Sequence, residues 1–279
     1  MMRQLNAKEF LLKKKKHQKL ALLTAYDYAF AKMIDEAGID IILVGDSLAN
    51  VVLGLDSTKD VTMEQMIYHA KAVARGVKKA VIIGDMPFEA YQKNPKDAVK
   101  NARRFIGEAG CHGVKIEWFK DCLGVVRNII KAGIPVMGHV GLTPQTAQAL
   151  GGFKVQGRDA DSAKRIIDQA LKLESVGCFS LVLECIPDRI AGLITQKLKI
   201  PTIGIGAGPL CDGQVLVMHD LLGLFDRFHP KFVKTYVDLR PLIIKAVGRY
   251  RRDVTTGAFP AKKQSFAIHP DEFKRIDTL

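Results

Sequence analysis

The stretch EAGIDIILVGD, residues 36–46, contains the unit that decides the fold. A helical pattern ends at Gly38, a residue suited to the left-handed position that closes many helices, and a short apolar run follows. Continuous rather than alternating apolar residues are typical of strands covered on both faces, as in a parallel sheet. The same junction recurs in three segments: EAGCHGVKIE at 108–117, KAGIPVMGH at 131–139 and SVGCFSLVLE at 175–184. The repeat predicts successive helix–strand units.

Eight apolar runs qualify as strands: 20–25, 40–45, 79–84, 113–117, 134–138, 179–184, 201–205 and 214–218. Helical patterns lie between most of them, with N-terminal capping signals at Thr62–Gln65 and Asn94–Pro95. Eight alternating units in about 200 residues predict an α/β fold of the (β/α)8 TIM-barrel type, with a doubly wound open sheet as the alternative. We expect one domain over residues 1–279, with a helical extension at about 1–18 and a helical tail at about 226–279.

Composition limits the classes of function. No apolar run approaches about 18 residues, so we expect no membrane span. The N-terminus has no secretory signal pattern, and five cysteines without a C-x-x-C pair favour a reducing cytoplasm. The formal net charge is +13 at pH 7. Because the basic residues are spread over helical stretches without interleaved aromatics, we expect a solvated basic face or an anionic small-molecule substrate rather than a nucleic acid.

Polar groups stand at the end of nearly every predicted strand. In a (β/α)8 barrel these C-terminal ends carry the chemistry. Any one such group could instead cap a helix or start a turn, but that alternative would have to apply to almost all of them. The groups are Tyr26, Asp27, Asp46, Ser47, Asp85, Lys115, Glu117, His139, Glu184, the glycines of 204–208, His219 and Asp220.

Asp46 and Asp85 occupy equivalent positions, each after a glycine that closes an apolar run, one β/α unit apart. Neighbouring parallel strands lie about 4.8 Å apart, so the two carboxylates could share a cation. Oxygen ligands without a cysteine or histidine cluster favour Mg2+ or Mn2+ over zinc. Glu117 is a candidate third ligand, direct or through water. Lys115 lies on the same face of its strand and could bind an anionic substrate or be a surface charge.

Three further features concern the same end of the barrel. His139 could hydrogen-bond a substrate oxygen or be structural. The segment GIGAGPLCDGQ at 204–214 lacks the setting of a dinucleotide site and predicts a tight seventh β/α loop that approaches an anion. Two long connections, 46–61 and 139–160, are candidate lids; the second contains Gly151 and Gly152.

These segments together resemble the ketopantoate hydroxymethyltransferase (3-methyl-2-oxobutanoate hydroxymethyltransferase) family. The matching stretches are LTAYDYAFAKMIDEAGIDIILVGDSLANVVLG, GDMPF, GVKIE, GHVGLTPQ, LVLECIP, TIGIGAGPLCDGQVLVMHDLLG and, late in the chain, FP followed by KQSF. One departure lies after KIE, where the family usually has Gly-Gly and this chain has Trp118–Phe119.

The resemblance implies a barrel of the phosphoenolpyruvate/pyruvate-like type that assembles as a homodecamer. It also implies transfer of a hydroxymethyl group from 5,10-methylenetetrahydrofolate to 3-methyl-2-oxobutanoate, giving 2-dehydropantoate for pantothenate biosynthesis. By the resemblance each residue has a role: Asp46 and Asp85 bind magnesium and thereby the substrate, Glu117 lies near the metal, Ser47, Lys115 and His139 contact the keto acid, and Glu184 is the proton acceptor.

Physical chemistry agrees with that reaction. A 2-keto acid chelates Mg2+, which stabilises the enolate formed when C3 loses its proton. Glu184 leaves an apolar strand, where a carboxylate can serve as the base; the alternative is a helix-capping glutamate. A rival enzyme class is a Mg-dependent C–C lyase or mutase of the isocitrate lyase or phosphonopyruvate type, which would give Cys185 a part. A catalytically silent basic scaffold is the third hypothesis.

Overall fold

The computed structural model describes residues 7–150, 152 and 154–276, without the side chains of 148–150. The start of the predicted N-terminal extension, the end of the tail and Gly151 of the 139–160 connection lie outside the described residues. Eight parallel strands close into a barrel in chain order, which confirms the predicted fold class. The strands are β1 Leu20–Thr24, β2 Ile41–Val44, β3 Val81–Asp85, β4 Gly113–Glu117, β5 Val136–Gly141, β6 Ser180–Glu184, β7 Thr202–Ile205 and β8 Gly213–Leu216.

Helices alternate with the strands and continue after β8. They are α1 Ala7–Lys15, α2 Tyr28–Glu36, α3 Leu48–Val51, α4 Met63–Gly76, α5 Pro95–Gly107, α6 Cys122–Lys131, α7 Ala160–Ser175, α8 Asp188–Lys197, α9 Met218–Leu221, α10 Arg240–Thr255 and α11 Pro270–Ile276. Short 3-10 turns span Thr58–Asp60, Phe88–Ala90, Pro144–Leu150 and Lys262–Gln264.

The predicted junctions have the predicted geometry. The glycines at 38, 110, 133 and 177 adopt φ values of +83°, +74°, +82° and +104°, where a side chain would strain the backbone. Thr62 and Gln65 form a reciprocal capping box at the start of α4. Asn94 caps α5 ahead of Pro95. Each predicted strand overlaps an observed one, with the largest shift at β5, which begins at Val136 and continues to Gly141.

Apolar side chains fill two layers, one between the strands and the helices and one inside the barrel. Inside, the barrel closes where β1 pairs with β8, with Leu20 beside Gly213 and Leu22 beside Val215. Phe10 of α1 belongs to this interior cluster, because its ring is 4% exposed and lies 6.3 Å from that of Phe179. The barrel itself therefore covers Phe10, the buried residue of α1.

Two acidic side chains at the N-terminal end of the barrel, Asp35 and Asp212, each accept several hydrogen bonds. The buried Asp35 carboxylate accepts three backbone N–H groups, from Lys78 at 3.0 Å, Lys79 at 2.9 Å and Ala80 at 2.7 Å. Burial alone would raise the pKa of Asp35, but these hydrogen bonds outweigh it, and the pKa is lowered. Asp212 accepts from Lys14 Nζ at 2.7 Å and from the backbone of the β7 residue Thr202 at 2.9 Å.

The segment after β8 is largely exposed. None of the residues of α10 is buried, and α10 leaves a row of apolar side chains 48–60% exposed, namely Leu242, Ile243, Ile244, Val247 and Tyr250. The isolated barrel does not cover this face. In the part of the chain that the structure describes, no helix is long and apolar enough to cross a membrane.

Candidate active site

Strand register brings the predicted site residues to one end of the barrel. Asp85 pairs with Lys115 across β3 and β4, and Glu117 pairs with His139 across β4 and β5. Glu184 pairs with Gly141 across β5 and β6. A cavity of about 360 Å³ opens at this end. All seven predicted residues line it: Asp46, Ser47, Asp85, Lys115, Glu117, His139 and Glu184.

Asp85 and Lys115 form a buried ion pair. The ammonium of Lys115 lies 2.8 Å from each Asp85 oxygen, and both residues are almost inaccessible to water. Burial raises the pKa of Asp85 to about 7, although Lys115 opposes the shift. Burial alone would lower the pKa of Lys115, but the surrounding carboxylates outweigh it, and the lysine stays protonated. Lys115, which the sequence suggested for an anionic substrate, is thus already paired with a carboxylate.

Asp46 lies beside this ion pair, at the end of β2. Its backbone N–H donates to Asp85 Oδ2 over 3.2 Å. Its own carboxylate accepts the side-chain amide of Gln145 at Oδ2, over 3.0 Å. The two aspartates therefore lie next to each other, as their equivalent positions in the sequence predicted.

His139 lies between two glutamates. Its Nδ1 is 3.5 Å from Glu117 Oε1, and its Nε2 is 3.3 Å from Glu184 Oε2. Both contacts fall outside hydrogen-bond geometry, so both ring nitrogens and Glu117 Oε1 are buried without a hydrogen bond. Burial and Lys115 would lower the pKa of His139, but the two glutamates outweigh them and raise it to about 9. His139 is therefore a cation at neutral pH that connects the two carboxylates.

The backbone around Glu184 turns sharply. Cys185 adopts φ +46°, a left-handed conformation uncommon for a residue with a side chain. The neighbouring strand approaches closely at Gly141, where a Cβ would lie 2.3 Å from the carbonyl oxygen of Glu184. Leu142 N–H donates to that same oxygen over 2.9 Å. The turn leaves the Glu184 side chain 15% exposed, on the wall of the cavity.

Ser47 begins α3, and its hydroxyl lies 2.9 Å from the phenol oxygen of Tyr26. Burial raises the pKa of Tyr26, so the phenol remains protonated. Asp27, the next strand-end residue in the sequence, instead caps α2 by accepting the N–H of Phe30 over 2.9 Å. The capping alternative is thus correct for Asp27.

Sequence reasoning gave no role to Gln145 and Tyr91. Gln145 is fully buried, and its backbone N–H donates to Glu117 Oε2 over 3.0 Å. Tyr91 donates its hydroxyl to the Gln145 side-chain oxygen over 2.6 Å. The only sequence signal was the presence of Gln145 in the stretch GHVGLTPQ.

The charge of the site fits a divalent cation. Four carboxylates (Asp46, Asp85, Glu117 and Glu184) lie with two basic groups (Lys115 and His139) at the strand ends, and Asp220, Lys154 and Lys231 also line the cavity. Within the described residues no group of three or more His, Cys, Asp or Glu side chains is arranged to enclose a metal ion. Asp46 and Asp85 could therefore hold an ion whose remaining ligands come from substrate or water, as Mg2+ commonly requires.

Comparison with known protein families supports the resemblance found in the sequence. The family model described as ketopantoate hydroxymethyltransferase matches residues 4–262. The chain belongs to this family. Among curated ketopantoate hydroxymethyltransferase relatives, a 3-methyl-2-oxobutanoate hydroxymethyltransferase of Syntrophomonas wolfei is 52% identical over 95% of this chain and 96% of its own. The corresponding protein of Oleidesulfovibrio alaskensis is 54% identical over 94% of this chain and 90% of its own.

Solved structures similar to this member of the ketopantoate hydroxymethyltransferase family share its fold. A phosphoenolpyruvate phosphomutase from Streptomyces platensis has a TM-score of 0.60 at 15% identity and covers 98% of this chain and 99% of its own. A 2,3-dimethylmalate lyase of the PEP mutase/isocitrate lyase superfamily has a TM-score of 0.56 at 14% identity and covers 98% of each chain. At these identities the likeness concerns the barrel, so the rival lyase or mutase hypothesis matches only at the level of the superfamily.

Proposed function

We propose that this enzyme transfers a hydroxymethyl group from 5,10-methylenetetrahydrofolate to 3-methyl-2-oxobutanoate, forming 2-dehydropantoate. The observation that carries the proposal is one cavity in which a partly exposed glutamate, Glu184, faces a buried pair of aspartates, Asp46 and Asp85. Family membership and relatives of more than 50% identity support the substrate. The rest of the proposal assigns a task to each side chain.

Asp46 and Asp85 would hold Mg2+, with Glu117 close by. The bound ion would supply positive charge that stabilises the negative charge developing on the keto acid. Lys115, held by Asp85, keeps a second positive charge at the same place. Ser47, whose hydroxyl is oriented by Tyr26, would hydrogen-bond the keto acid. The carboxylates clustered at the strand ends support a divalent ion.

Glu184 would remove the proton from C3 of the keto acid. The carboxylate lies at the cavity wall, where the substrate reaches it without crossing the protein core. The ring of His139, with Nε2 3.3 Å from Glu184 Oε2, would balance the charge of that carboxylate when protonated. The deprotonated C3 would then form a bond to the one-carbon unit of the folate. Both bonds from that carbon to the folate nitrogens break, and a water molecule supplies the hydroxyl oxygen. The other proton of the water and the proton from C3 end on the two nitrogens, so tetrahydrofolate leaves. A positioned carboxylate base of this kind typically contributes a factor of roughly 100 to 10,000 in rate.

The same cavity has features suited to a folate. Three aromatic side chains, Phe225, Phe228 and Phe232, line it, and Phe228 is 62% exposed. Flat faces of this kind fit a pterin ring. Lys154 and Lys231 also line the cavity and would attract the carboxylates of the glutamate tail.

The rival lyase or mutase chemistry would use Cys185 as a nucleophile. Burial and the neighbouring Glu184 raise the pKa of Cys185 to about 12, so its sulfur stays protonated at neutral pH. A thiol is a poor nucleophile compared with a thiolate. This observation favours hydroxymethyl transfer.

We also propose that residues 1–279 form one functional domain, and that the enzyme works as a cytoplasmic homodecamer. The exposed apolar row of α10 supports association, because a soluble protein rarely leaves such a row in contact with water. Light scattering should give a mass near ten times 30.8 kDa. A monomer at micromolar concentration would contradict the assembly.

NMR in D2O tests the function directly. With enzyme and Mg2+, 3-methyl-2-oxobutanoate should exchange its C3 proton for deuterium. Addition of methylenetetrahydrofolate should give 2-dehydropantoate. Absence of folate-dependent product, with the enzyme folded and Mg2+ present, would refute the proposed function.

A further inference from the structure

We infer that Gln145 is a positioning residue that fixes Asp46 and Glu117 together, and that Tyr91 sets the orientation of its amide. This inference rests on the proposed function. Gln145 lies in the 3-10 turn after β5, yet it is 0% exposed because the turn folds back onto the cavity. Its backbone N–H donates to Glu117 Oε2 over 3.0 Å, and its side-chain amide donates to Asp46 Oδ2 over 3.0 Å. One residue thus contacts two of the site carboxylates.

The amide of Gln145 has one allowed orientation. Its nitrogen donates to two acceptors, Asp46 Oδ2 and the Met86 carbonyl at 3.1 Å. Its oxygen accepts the hydroxyl of Tyr91 over 2.6 Å. Exchange of the amide oxygen and nitrogen would place an oxygen against two acceptors and an N–H against a phenol donor. Burial raises the pKa of Tyr91, so the phenol keeps the proton that it donates.

An aromatic cluster keeps Tyr91 in place. The Tyr91 ring lies 5.6 Å from that of Phe88 at 88°, and 5.6 Å from that of Phe119 at 49°. Phe119 follows Glu117 by two residues, in the Trp118–Phe119 pair that distinguishes this chain. The backbone N–H of Trp118 donates to the His139 carbonyl over 2.9 Å. The residues after β4 therefore support the same hydrogen-bonded network that holds Glu117.

The network leaves one oxygen of each carboxylate for a positive partner. Gln145 satisfies Asp46 Oδ2 and Glu117 Oε2 with neutral donors. Glu117 Oε1 has no hydrogen bond and lies 3.5 Å from His139 Nδ1 and 3.8 Å from Lys115 Nζ. Groups that orient metal-binding side chains typically change metal affinity or activity by roughly 10- to 100-fold when removed. We therefore expect Gln145 to control how well the aspartates bind Mg2+.

The test compares two substitutions with a control. Gln145→Met keeps length and bulk and removes all three side-chain hydrogen bonds, to Asp46, the Met86 carbonyl and Tyr91. Tyr91→Phe keeps the ring in its cluster and removes only the hydroxyl that orients the amide. Thr146→Val is the control in the same turn: among the described residues, the Thr146 hydroxyl hydrogen-bonds only to Thr143, to its hydroxyl at 2.6 Å and its carbonyl at 3.3 Å. Titration calorimetry of each protein with MgCl2 measures binding without turnover, and melting temperature reports folding.

Gln145→Met should weaken Mg2+ binding roughly 10- to 100-fold, and Tyr91→Phe should weaken it roughly 2- to 10-fold. Thr146→Val should leave Mg2+ binding within about twofold of wild type. Because Tyr91 acts through Gln145, the double variant should bind Mg2+ no more weakly than Gln145→Met alone. If Gln145→Met does not fold, the Mg2+ affinity of Tyr91→Phe relative to wild type tests the inference.

Lower melting temperatures with unchanged Mg2+ affinity in Gln145→Met and Tyr91→Phe would overturn the inference. So would a double variant in which the two effects simply add. Measurement of C3 exchange in the wild-type enzyme distinguishes failure of the inference about Gln145 from failure of the proposed function. If the wild-type enzyme binds Mg2+ and exchanges the C3 proton, and the variants bind Mg2+ equally well, only the inference about Gln145 is wrong. Wild-type enzyme that does neither overturns the function and the inference with it.

Discussion

The two ends of the barrel use buried acids in opposite ways. At the N-terminal end, Asp35 accepts three backbone N–H groups, and its pKa is lowered. At the C-terminal end, burial raises the pKa values of Asp85 and Glu117, and one oxygen of Glu117 lacks a hydrogen bond. The first set of acids is satisfied by the fold alone. The second set relies on Lys115 and His139 for positive charge, and Glu117 Oε1 still accepts no hydrogen bond.

This difference means that buried acids serve stability at the N-terminal end of the barrel and chemistry at the C-terminal end. An acid whose partners are backbone N–H groups stabilises the fold whenever it is ionised. Carboxylates crowded at one place repel each other and raise the energy of the folded state, which functional sites commonly tolerate. We therefore expect substitutions at the C-terminal end to change activity and substitutions at the N-terminal end to change stability.

The largest expected effect is that of metal removal. Without a divalent ion, nothing supplies the positive charge that would stabilise negative charge forming on the substrate beside Asp46 and Asp85. Dialysis against a chelator should therefore abolish C3 exchange and turnover, and added Mg2+ should restore both. Persistent turnover in a sample that elemental analysis shows to be free of metal would contradict this prediction.

Glu184→Gln should have the next largest effect. It keeps the size of the side chain and one acceptor oxygen but removes the base, so C3 exchange should fall roughly 100- to 10,000-fold. The melting temperature should not fall, because the substitution removes one charge from a crowded site. An exchange rate near that of wild type would show that another residue is the base.

Glu174→Gln is the matched control at the other end. Glu174 Oε1 accepts the backbone N–H groups of Lys199 at 2.6 Å and Ile200 at 3.0 Å, before β7. The same chemical change keeps the acceptor oxygen but replaces a charged acceptor by a neutral one, so stability should fall modestly. The exchange rate of the folded enzyme should stay unchanged. Loss of C3 exchange in folded Glu174→Gln would contradict the view that acids at the N-terminal end affect stability and not activity.

Asp35→Asn should cost about 2 kcal/mol of folding free energy at pH 7, the usual size for hydrogen bonds to a charged group. Because the folded-state pKa of Asp35 is lowered, its contribution is complete above the ordinary carboxyl pKa of about 4 and is lost as pH falls through the folded-state value. Urea unfolding at pH 7 and pH 3 should show a smaller difference from wild type at the lower pH. The exposed Asp168→Asn on α7 is the control, and an equal difference at both pH values would contradict the assignment.

The smallest expected effect concerns α1. Lys14 Nζ donates to Asp212 over 2.7 Å and to the Thr195 carbonyl over 2.8 Å, and its side chain is 15% exposed. Lys14→Met should reduce stability by about 1 kcal/mol, and added salt should reduce the difference. The exposed Lys15→Met should have no measurable effect. Equal melting temperatures for wild type and Lys14→Met would show that this contact does not stabilise the N-terminal end of the barrel.

The order of strands was predictable because local rules decide it. Continuous apolar runs placed every strand, glycines at positive φ marked the start of four of them, and strand ends placed the seven site residues on one cavity. Parallel pairing in chain order needs no long-range information beyond that pattern. Asp27 shows the limit of the strand-end rule, since its carboxylate caps α2.

Contacts between distant segments were not predictable in the same way. Gln145 and Tyr91 are 54 positions apart and meet because the turn after β5 folds back over the cavity. The pairing of Lys115 with Asp85, and the place of His139 between Glu117 and Glu184, depend on register between strands that the sequence does not state. A single sequence carries the residue types but not these distances.

Closure of the barrel by β1 and β8 has a consequence for synthesis of the chain. Leu20, near the start, must pair with Gly213, near the end, so the ring cannot close on the ribosome until β8 has emerged. Until then the nascent chain carries two unpaired strand edges, which readily pair with other chains. Contacts this distant in sequence also form slowly. Truncated products that end before β8 should therefore aggregate rather than accumulate as smaller folded proteins.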